Sequence, residues 1–300
     1  MRIVTRGDFD GLTSSVLLTE VEDIREVRFV HPKDAQDATV KADAEDIVVN
    51  LPHVPNCGLW FDHHISEVDK VPKLKGVNGR FEMAPSCARV IYNHYKAKHA
   101  AKLDRFKDLL EATDRLDSAQ ITLEDVSNPK GWILLGLTLD PRSGLGPEFQ
   151  KYFRWLVEYI KEVPLDKVLA HPEVSKRAQR VLSEQEEFKK LLKRCARQDG
   201  NVILTDLRGM KDKPVGNRFL VYTLFPNADV EVRLFDGHKG AVVVAVGHSI
   251  FKRTCKVNVG KLLGKFGGGG HTGAGTAQLT PAGADEKIMR IIQELKANKG

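Results

Sequence analysis

Four short apolar segments near the start of the chain alternate with stretches of helical character, and this alternation constrains the fold more than any other feature. The segments are Arg2–Thr5, Val27–His31, Asp46–Leu51 and Leu59–Phe61. Each has the length of a strand, and Thr13–Glu20, after the first of them, has the character of a helix. Strands that alternate with helices at this spacing predict an α/β fold whose mostly parallel sheet has helices on both faces.

Polar side chains follow three of these segments. Asp8 and Asp10 come after the first, Asn50 ends the third, and Asp62-His63-His64 follows the fourth. Open α/β sheets bind ligands at the carboxyl ends of their strands, so we expect these side chains to face a ligand crevice. Carboxylates placed there suit Mg²⁺ or Mn²⁺, and we predict that His63 binds such an ion. A solvated turn remains the alternative for the two aspartates, because aspartate and glycine also form turns.

Two more carboxylates lie behind a segment that is predicted to be helical. Asp114 and Asp117 follow Lys102–Thr113, whose apolar residues recur on one side of a helix. An N-cap for another helical turn would explain Asp117 as well as a metal site does. The Pro- and Gly-rich passage from Asn128 to Pro147 is predicted to be an elaborated loop with one buried segment, Trp132–Leu135.

The second half of the chain has the pattern of another α/β unit. Ser175–Arg197 is predicted to be a helix that is charged on most faces, as expected of a helix that bridges two domains. The turn Asp199-Gly200-Asn201 is the predicted domain boundary. Beyond it, four segments are predicted to be strands: Val202–Thr205, Phe219–Phe225, Val230–Phe235 and Ala241–Val246.

Four successive glycines, Gly267 to Gly270, precede His271. Glycine leaves its backbone N–H unshielded, so an anion can approach closely. A flexible linker is the alternative, but it would need neither a histidine nor apolar segments against both ends. The sequence therefore favours an anion-binding loop.

The composition indicates which class of ligand and which cellular compartment fit the protein. The net charge of +6 and the pI near 9.0 fit a polyanionic ligand such as a nucleotide or nucleic acid without demanding one. The four cysteines form no C-x-x-C pair, which disfavours a structural zinc site or a disulfide framework and favours a reducing cytosol. We predict no membrane span and no export, since no apolar run reaches about 18 residues and no leader precedes the first strand.

Taken in order, Asp8-Phe9-Asp10, Asp62-His63-His64 and the glycine loop with His271 resemble the motifs of the DHH phosphoesterase superfamily. The resemblance is to its subgroup with a C-terminal DHHA1 domain, which includes oligoribonucleases, single-strand-specific exonucleases, cyclic dinucleotide phosphodiesterases and exopolyphosphatase-like relatives. It implies a DHH domain over residues 1–174, a bridging helix over 175–200 and a smaller α/β DHHA1 domain over 201–300. The active cleft would lie between the two domains.

The resemblance also implies roles for individual residues. Asp62 would orient His63, and His64 would lie toward the substrate, so that Asp62 and His64 are the expected catalytic residues. The expected metal ligands are Asp8, Asp10, Asn50, His63 and Asp114, with Asp117 in reserve for the last. The expected contacts to substrate phosphate are Arg253, Thr254, Gly268, Gly269, Gly270 and His271.

The chain departs from the family pattern at two positions. Arg6 stands where many relatives carry a histidine, and Asn50 replaces an aspartate that bridges two metal ions in the family. Asparagine offers one neutral oxygen in place of a charged carboxylate, so one ion site keeps its ligands while the other keeps mainly Asp8. Two-metal hydrolysis needs a pair of ions about 3.5–4 Å apart. The expected cofactor is therefore Mn²⁺ or Mg²⁺, as one or two ions.

The resemblance implies a metal-dependent phosphoesterase that hydrolyses a phosphate ester of a nucleotide, a short oligonucleotide or polyphosphate. The departures keep a second hypothesis open, in which a degenerate relative binds such a ligand without efficient hydrolysis. A structural α/β protein with buried core histidines is the third, and the ordered motifs disfavour it. The expected partner is a phosphate-containing small molecule or a short single-stranded nucleic acid, with no membrane; the sequence leaves a homodimer open.

Overall fold

The first four apolar segments form parallel strands of one sheet in the computed structural model. The structure describes residues 1–69, 71–73, 76–139, 145–211, 214 and 216–299. Five strands in the order β2-β1-β3-β4-β5 build this sheet, and every neighbouring pair is parallel. Their bounds are β1 Arg2–Thr5, β2 Glu26–Phe29, β3 Asp46–Val49, β4 Leu59–Asp62 and β5 Gly79–Phe81. The predicted α/β class with a mostly parallel first sheet is confirmed.

The register of this sheet brings the ends of β1, β3 and β4 together. Val4 pairs with Val48, and Val48 pairs with Trp60. All three side chains are buried, because helices cover both faces of a parallel sheet. Residues that directly follow these three strands therefore meet at one edge of the sheet.

Helices pack on this sheet, and α1 is the most deeply buried of them. Every residue of α1 from Phe9 to Leu18 is buried, and the helix contacts α3, α4 and α7. The helices between residues 9 and 195, of which α5 belongs to the second compact unit described below, are α1 Phe9–Val21, α2 Pro32–Gln36, α3 Cys87–Leu103, α4 Lys107–Asp117, α5 Leu123–Ser127, α6 Gly131–Leu137, α7 Pro147–Glu162, α8 Leu165–Ala170 and α9 Pro172–Cys195.

A second sheet of six strands has the order β10-β11-β9-β8-β7-β6, and only β7 and β8 run parallel. Its core includes Val232, Val244 and Ile291, all fully buried. The strands are β6 Ala196–Asp199, β7 Val202–Asp206, β8 Val230–Asp236, β9 Val242–His248, β10 Gly269–Gly270 and β11 Ala274–Leu279, and the helices are α10 Leu220–Leu224, α11 Val259–Gly264 and α12 Ala284–Ala297.

The chain divides into two compact units, each with its own sheet. The first comprises Met1–Ile121 and Pro129–Gln179, and the second comprises Thr122–Asn128 and Arg180–Gly300. Helix α9 begins in the first unit and ends in the second. The turn at Gly200, predicted as the domain boundary, joins β6 to β7 inside the second unit.

Two segments differ from the sequence prediction for the same reason. Phe219–Phe225 was expected to be a strand but contains α10, and Trp132–Leu135 was expected in a loop but lies in α6. Short buried apolar runs carry too few residues for their period to separate a strand from a helix. Within the described part of the chain, no helix is both long and apolar enough to cross a bilayer.

Candidate metal centre

Asp8 lies at the start of α1, directly after β1. Its side chain caps the helix, because Oδ1 accepts a hydrogen bond from the Gly11 amide at 2.9 Å. Glycine is required at position 11, since a Cβ there would lie 2.3 Å from the carbonyl oxygen of Arg6. The other carboxylate oxygen, Oδ2, is 2.8 Å from Nε of Arg6. The tight turn after β1 thus fixes Asp8 and leaves it paired with an arginine.

Asp10 occupies the first turn of α1 and is held by the beginning of α3. Its two oxygens accept hydrogen bonds from the backbone amides of Cys87 and Ala88, both at 2.8 Å. The side chain is only 2% exposed. Burial raises the pKa of its carboxyl to about 6 and the charge of Asp8 adds to the shift, while His63 and the two amides oppose it.

His63 follows β4 and points its imidazole at Asp10. Its Nδ1 lies 3.0 Å from the carbonyl oxygen of Ala84, a position from which only the protonated nitrogen can donate. Nε2 then carries the lone pair, 3.6 Å from Oδ2 of Asp10 and 3.3 Å from Oδ2 of Asp117. This buried nitrogen has no hydrogen-bond partner among the described residues.

Asp117, at the end of α4, is the carboxylate that lies beside His63. Loss of hydration, together with the charges of Asp10 and Asp8, holds the pKa of Asp117 well above its usual range, although Arg6 and His64 oppose the shift. Asp114, the residue favoured from sequence, lies elsewhere. It accepts hydrogen bonds from Ser86 Oγ at 2.6 Å and from Arg89 Nε at 2.8 Å. The structure corrects this placement, since three residues along a helix carry a side chain to a neighbouring position with different contacts.

Asn50, directly after β3, presents its two amide ends to different neighbours. Its backbone has φ = 56°, a left-handed conformation that asparagine tolerates better than most residues. Nδ2 donates to Oδ1 of Asp8 at 3.0 Å. The opposite end, Oδ1, is buried without a hydrogen-bond partner in the described part of the chain.

Asp62 orients the second histidine of its motif rather than the first. Its Oδ1 is 2.6 Å from Nδ1 of His64, whereas Ala84 holds His63. Burial alone would lower the pKa of His64, but the hydrogen bond and charge of Asp62, with the charges of Asp117 and Asp10, raise it above its ordinary value. The expectation that Asp62 orients His63 is therefore corrected.

The residues around His63 fit one divalent cation. Ligand atoms of Asp10, His63 and Asp117 all lie within 4.8 Å of one another. Two carboxylates and an imidazole form a donor set that Mn²⁺ and Mg²⁺ accept. Both carboxyl pKa values are raised by burial and by the closeness of other negative charges, and a bound cation would remove that cost.

The expected phosphate contacts of the second unit are partly engaged in the fold. Thr254 donates its hydroxyl to Oδ1 of Asp229 at 2.6 Å, and Arg253 donates from Nε to the carbonyl of Ile250 at 2.8 Å. Arg253 also has a left-handed backbone, φ = 51°. Both side chains are nonetheless exposed. Their phosphate contact stays a prediction.

The glycine run is part of a sheet edge rather than a free loop. Gly269 and Gly270 form the edge strand β10. The amides of Gly268 and His271 donate to the carbonyls of Leu263 and Ala274, at 2.9 and 2.7 Å. These two amides are used by the fold, and Gly269 and Gly270 pair with β11. The imidazole of His271 is exposed, and the anion-binding role of the loop stays a prediction.

Two alanine substitutions separate the steric role of the glycines from a ligand role. We expect Gly270→Ala to destabilise the second unit by about 1–3 kcal/mol, because its Cβ would lie 2.3 Å from Ala274 O at φ = 151°. Gly269→Ala is the matched control, since its Cβ meets open space and the cost is below about 0.5 kcal/mol. Urea unfolding followed by circular dichroism measures both. Equal losses would contradict the steric account.

Known proteins that are similar to this chain were found among solved structures. Neither the protein-family models nor the curated proteins yield a match. Among solved structures, a pGpG-specific phosphodiesterase from Vibrio cholerae, PggH, is 35% identical over 99% of both chains, with a TM-score of 0.87. The DHH domain of a member of a family of ribosomal proteins is 14% identical, covers 100% of this chain and 87% of that one, and has a TM-score of 0.66.

RecJ from Thermus thermophilus in complex with Mg²⁺ has the same fold at 17% identity and a TM-score of 0.54. It matches all of this chain over 50% of its own length. The full-length identity to PggH, the shared fold and the ordered motifs point the same way. The chain belongs to the DHH phosphoesterase superfamily, in its two-domain DHH/DHHA1 subgroup.

Proposed function

We propose that the protein is a metal-dependent phosphodiesterase that hydrolyses a short linear nucleotide. One observation carries the proposal: the unpartnered Nε2 of His63 faces two carboxylates whose pKa values are raised by burial and by nearby negative charge. Close carboxylates of this kind, of which Asp10 is buried, are costly without a cation. In this family such a cation serves phosphate ester hydrolysis.

Asp10, His63 and Asp117 would hold the ion, with the amide oxygen of Asn50 as a further donor. When bound, Mn²⁺ or Mg²⁺ polarises a phosphoryl oxygen and makes a water molecule easier to deprotonate. The N-terminus of α3 keeps Asp10 in place, and Ala84 keeps the His63 lone pair directed at the site. We propose one such ion, Mn²⁺ or Mg²⁺, at this place.

His64 would act as the general acid. Asp62 holds Nδ1 of His64 and raises the pKa of the ring, so the ring keeps its proton to a higher pH than a free imidazole would. A proton placed there can pass to the leaving oxygen of the ester. Arg253 and the edge amides of the glycine strand would bind phosphate in the second unit.

The full-length similarity to a pGpG-specific phosphodiesterase suggests a linear dinucleotide as the first substrate to test. Adenosine phosphates, polyphosphate, cyclic dinucleotides and longer single-stranded oligonucleotides offer similar phosphates and form the comparison set. A nucleotide substrate and four free cysteines fit a reducing cytosol. These assignments are part of the proposal.

A turnover screen over these substrates tests the function. We expect a linear dinucleotide to be hydrolysed to mononucleotides in Mn²⁺, with kcat/KM at least about tenfold higher than for any other class. Excess EDTA should abolish turnover and added Mn²⁺ should restore it. Absence of hydrolysis across the panel at saturating Mn²⁺ would contradict the proposal.

A binding protein without efficient turnover is the second candidate, and the pairing of Asn50 with Asp8 is the observation that favours it. The amide replaces a charged ligand, and its NH₂ faces the Asp8 carboxylate. This hypothesis predicts nucleotide binding without Mn²⁺-dependent hydrolysis, and activity that appears in Asn50→Asp. Robust turnover by the wild-type protein would exclude it.

A further inference from the structure

We propose that Arg6, oriented by Asp8, supplies the positive charge that a second metal ion would supply, contacts the substrate phosphate directly, and limits the enzyme to one ion per chain. The inference rests on the proposed function for its substrate phosphate. It rests on geometry for everything else.

The surroundings of Asp8 leave no place for a cation. Its Oδ1 already accepts hydrogen bonds from the Gly11 amide and from Nδ2 of Asn50, at 2.9 and 3.0 Å. Its Oδ2 lies 2.8 Å from the guanidinium of Arg6. A metal ion at Asp8 would meet a positive charge and an amide NH₂ group, and both repel it. The residues on this side of the site do not fit a second ion.

The side-chain amide of Asn50 has one fixed orientation beside Asp8. The NH₂ end donates to Asp8, and the oxygen at the other end is buried without a hydrogen-bond partner among the described residues. The reverse orientation would place the amide oxygen against an oxygen of Asp8 with no proton between them. An aspartate at position 50 would instead put two carboxylates side by side, an arrangement that needs a bridging cation.

The charges of the side chains around His63 and Asp8 also fit one divalent ion. With a metal bound, Asp10 and Asp117 carry two negative charges and His63 is neutral, which matches one divalent ion. Asp8 carries one negative charge, which Arg6 matches. A second divalent ion would add two positive charges, and Asp62, the other acid in the clusters around His63, is already paired with His64.

The guanidinium retains donors for a substrate. Its Nε is buried and faces Oδ2 of Asp8, so the Nη groups at the other end of the guanidinium are the donors that can reach a substrate. About a third of the side chain, 32%, is exposed. A planar fork of N–H groups held beside a metal site can bind two oxygens of one phosphoryl group, which a second ion would otherwise bind.

Metal stoichiometry tests the one-ion claim without any reaction. Mn²⁺ bound per chain is counted by mass spectrometry after equilibrium dialysis, and calorimetry gives the affinities. We expect one ion in the wild-type protein and one in Arg6→Ala, because Asn50 still faces Asp8. The double variant Arg6→Ala/Asn50→Asp should bind two. Two ions of similar affinity in the wild type, or one in the double variant, would overturn the claim.

Phosphate affinity tests the contact. Inorganic phosphate is titrated into the Mg²⁺-loaded protein and followed by calorimetry. Arg6→Ala should weaken phosphate binding about tenfold or more, and Arg6→Lys should fall between the two, since lysine keeps the charge but lacks the fork. Arg25→Ala is the matched control, because Arg25 is an exposed arginine paired with Asp23 and Glu45. Equal affinity in wild type and Arg6→Ala would overturn the contact.

Neither measurement depends on turnover. A protein that binds one ion and holds phosphate through Arg6 but hydrolyses nothing would contradict the proposed function and leave this inference standing. A protein that hydrolyses a dinucleotide with two bound ions would do the opposite.

Discussion

Replacing Asp117 with asparagine is expected to remove high-affinity Mn²⁺ binding and to lower kcat/KM by about 10³-fold or more. Asp117 and Asp10 are the two carboxylates near Nε2 of His63, and a neutral amide at position 117 leaves a divalent ion there half compensated. Calorimetry with Mn²⁺ and steady-state kinetics on the dinucleotide measure the two effects.

Asp114→Asn is the matched control, since it removes the same charge one helical turn away. Asp114 binds Arg89 and Ser86, so we expect a loss of about 1–3 kcal/mol in the free energy of unfolding. Its Mn²⁺ affinity should stay within about threefold of wild type. If Asp114→Asn lost the metal and Asp117→Asn kept it, the assignment of these two residues would be wrong.

The same pair of variants gives opposite results in the metal-free protein. The pKa of Asp117 is raised in the folded state, so its ionised form opposes folding once the pH exceeds its ordinary value. Asp117→Asn removes that cost, and its melting temperature in EDTA at about pH 7.5 should equal or exceed that of wild type. Asp114→Asn should melt lower. A lower melting temperature for Asp117→Asn would contradict the repulsion.

The second large effect concerns His64. His64→Gln is expected to lower kcat by about 10²–10³-fold while Mn²⁺ affinity stays nearly unchanged, because the side chain holds a proton rather than the ion. His94→Gln, on α3, controls for loss of a histidine. Loss of metal binding in His64→Gln equal to the loss of activity would contradict a role in proton transfer.

Asp62→Asn tests the role of His64 as a general acid through the pH dependence of kcat. Asp62 raises the pKa of His64, so the amide should lower that pKa and deprotonate the general acid at a lower pH. The alkaline limb of the kcat profile should therefore shift toward acid, and kcat at about pH 8 should fall by about 10- to 100-fold. An unchanged profile would show that His64 titration does not limit the reaction.

The part of the site that the sequence predicts is the part that a parallel sheet determines. Asp8, Asp10, Asn50 and His63 each follow a strand, and the order of the strands brings them to one edge. That Asp62 binds His64 rather than His63 depends on the turn after β4, which no pattern of apolar residues encodes.

Helical spacing alone does not decide which of two acids lies beside His63. Asp114 and Asp117 lie at the end of one helix, three residues apart. Asp114 contacts Ser86 at the beginning of α3, and Asp117 lies beside His63. The rotation of α4 against its neighbours decides which of them reaches His63. A signal was nevertheless present, since Ser86 and Arg89 lie at the N-terminus of α3 and are natural partners for one of the two acids.

The glycine strand shows the same limit in the second unit. Gly268 and Gly270 are required because a Cβ at either position would lie 2.3 Å from a backbone oxygen, that of Thr276 or that of Ala274. Sequence alone assigns three glycines to a ligand when some of them serve a sheet edge. Gly269, which no contact requires, is the position whose conservation among relatives would speak for a ligand.

Backbone amides of α3, and no side chains of that helix, hold Asp10, and this affects which substitutions the protein tolerates there. Its hydrogen bonds come from the amides of Cys87 and Ala88, which every residue except proline supplies. The identities at these two positions can therefore drift with the packing of the helix while the acid remains in place. This buried contact of the candidate metal centre would leave no trace in an alignment, and a search for invariant side chains would pass over it.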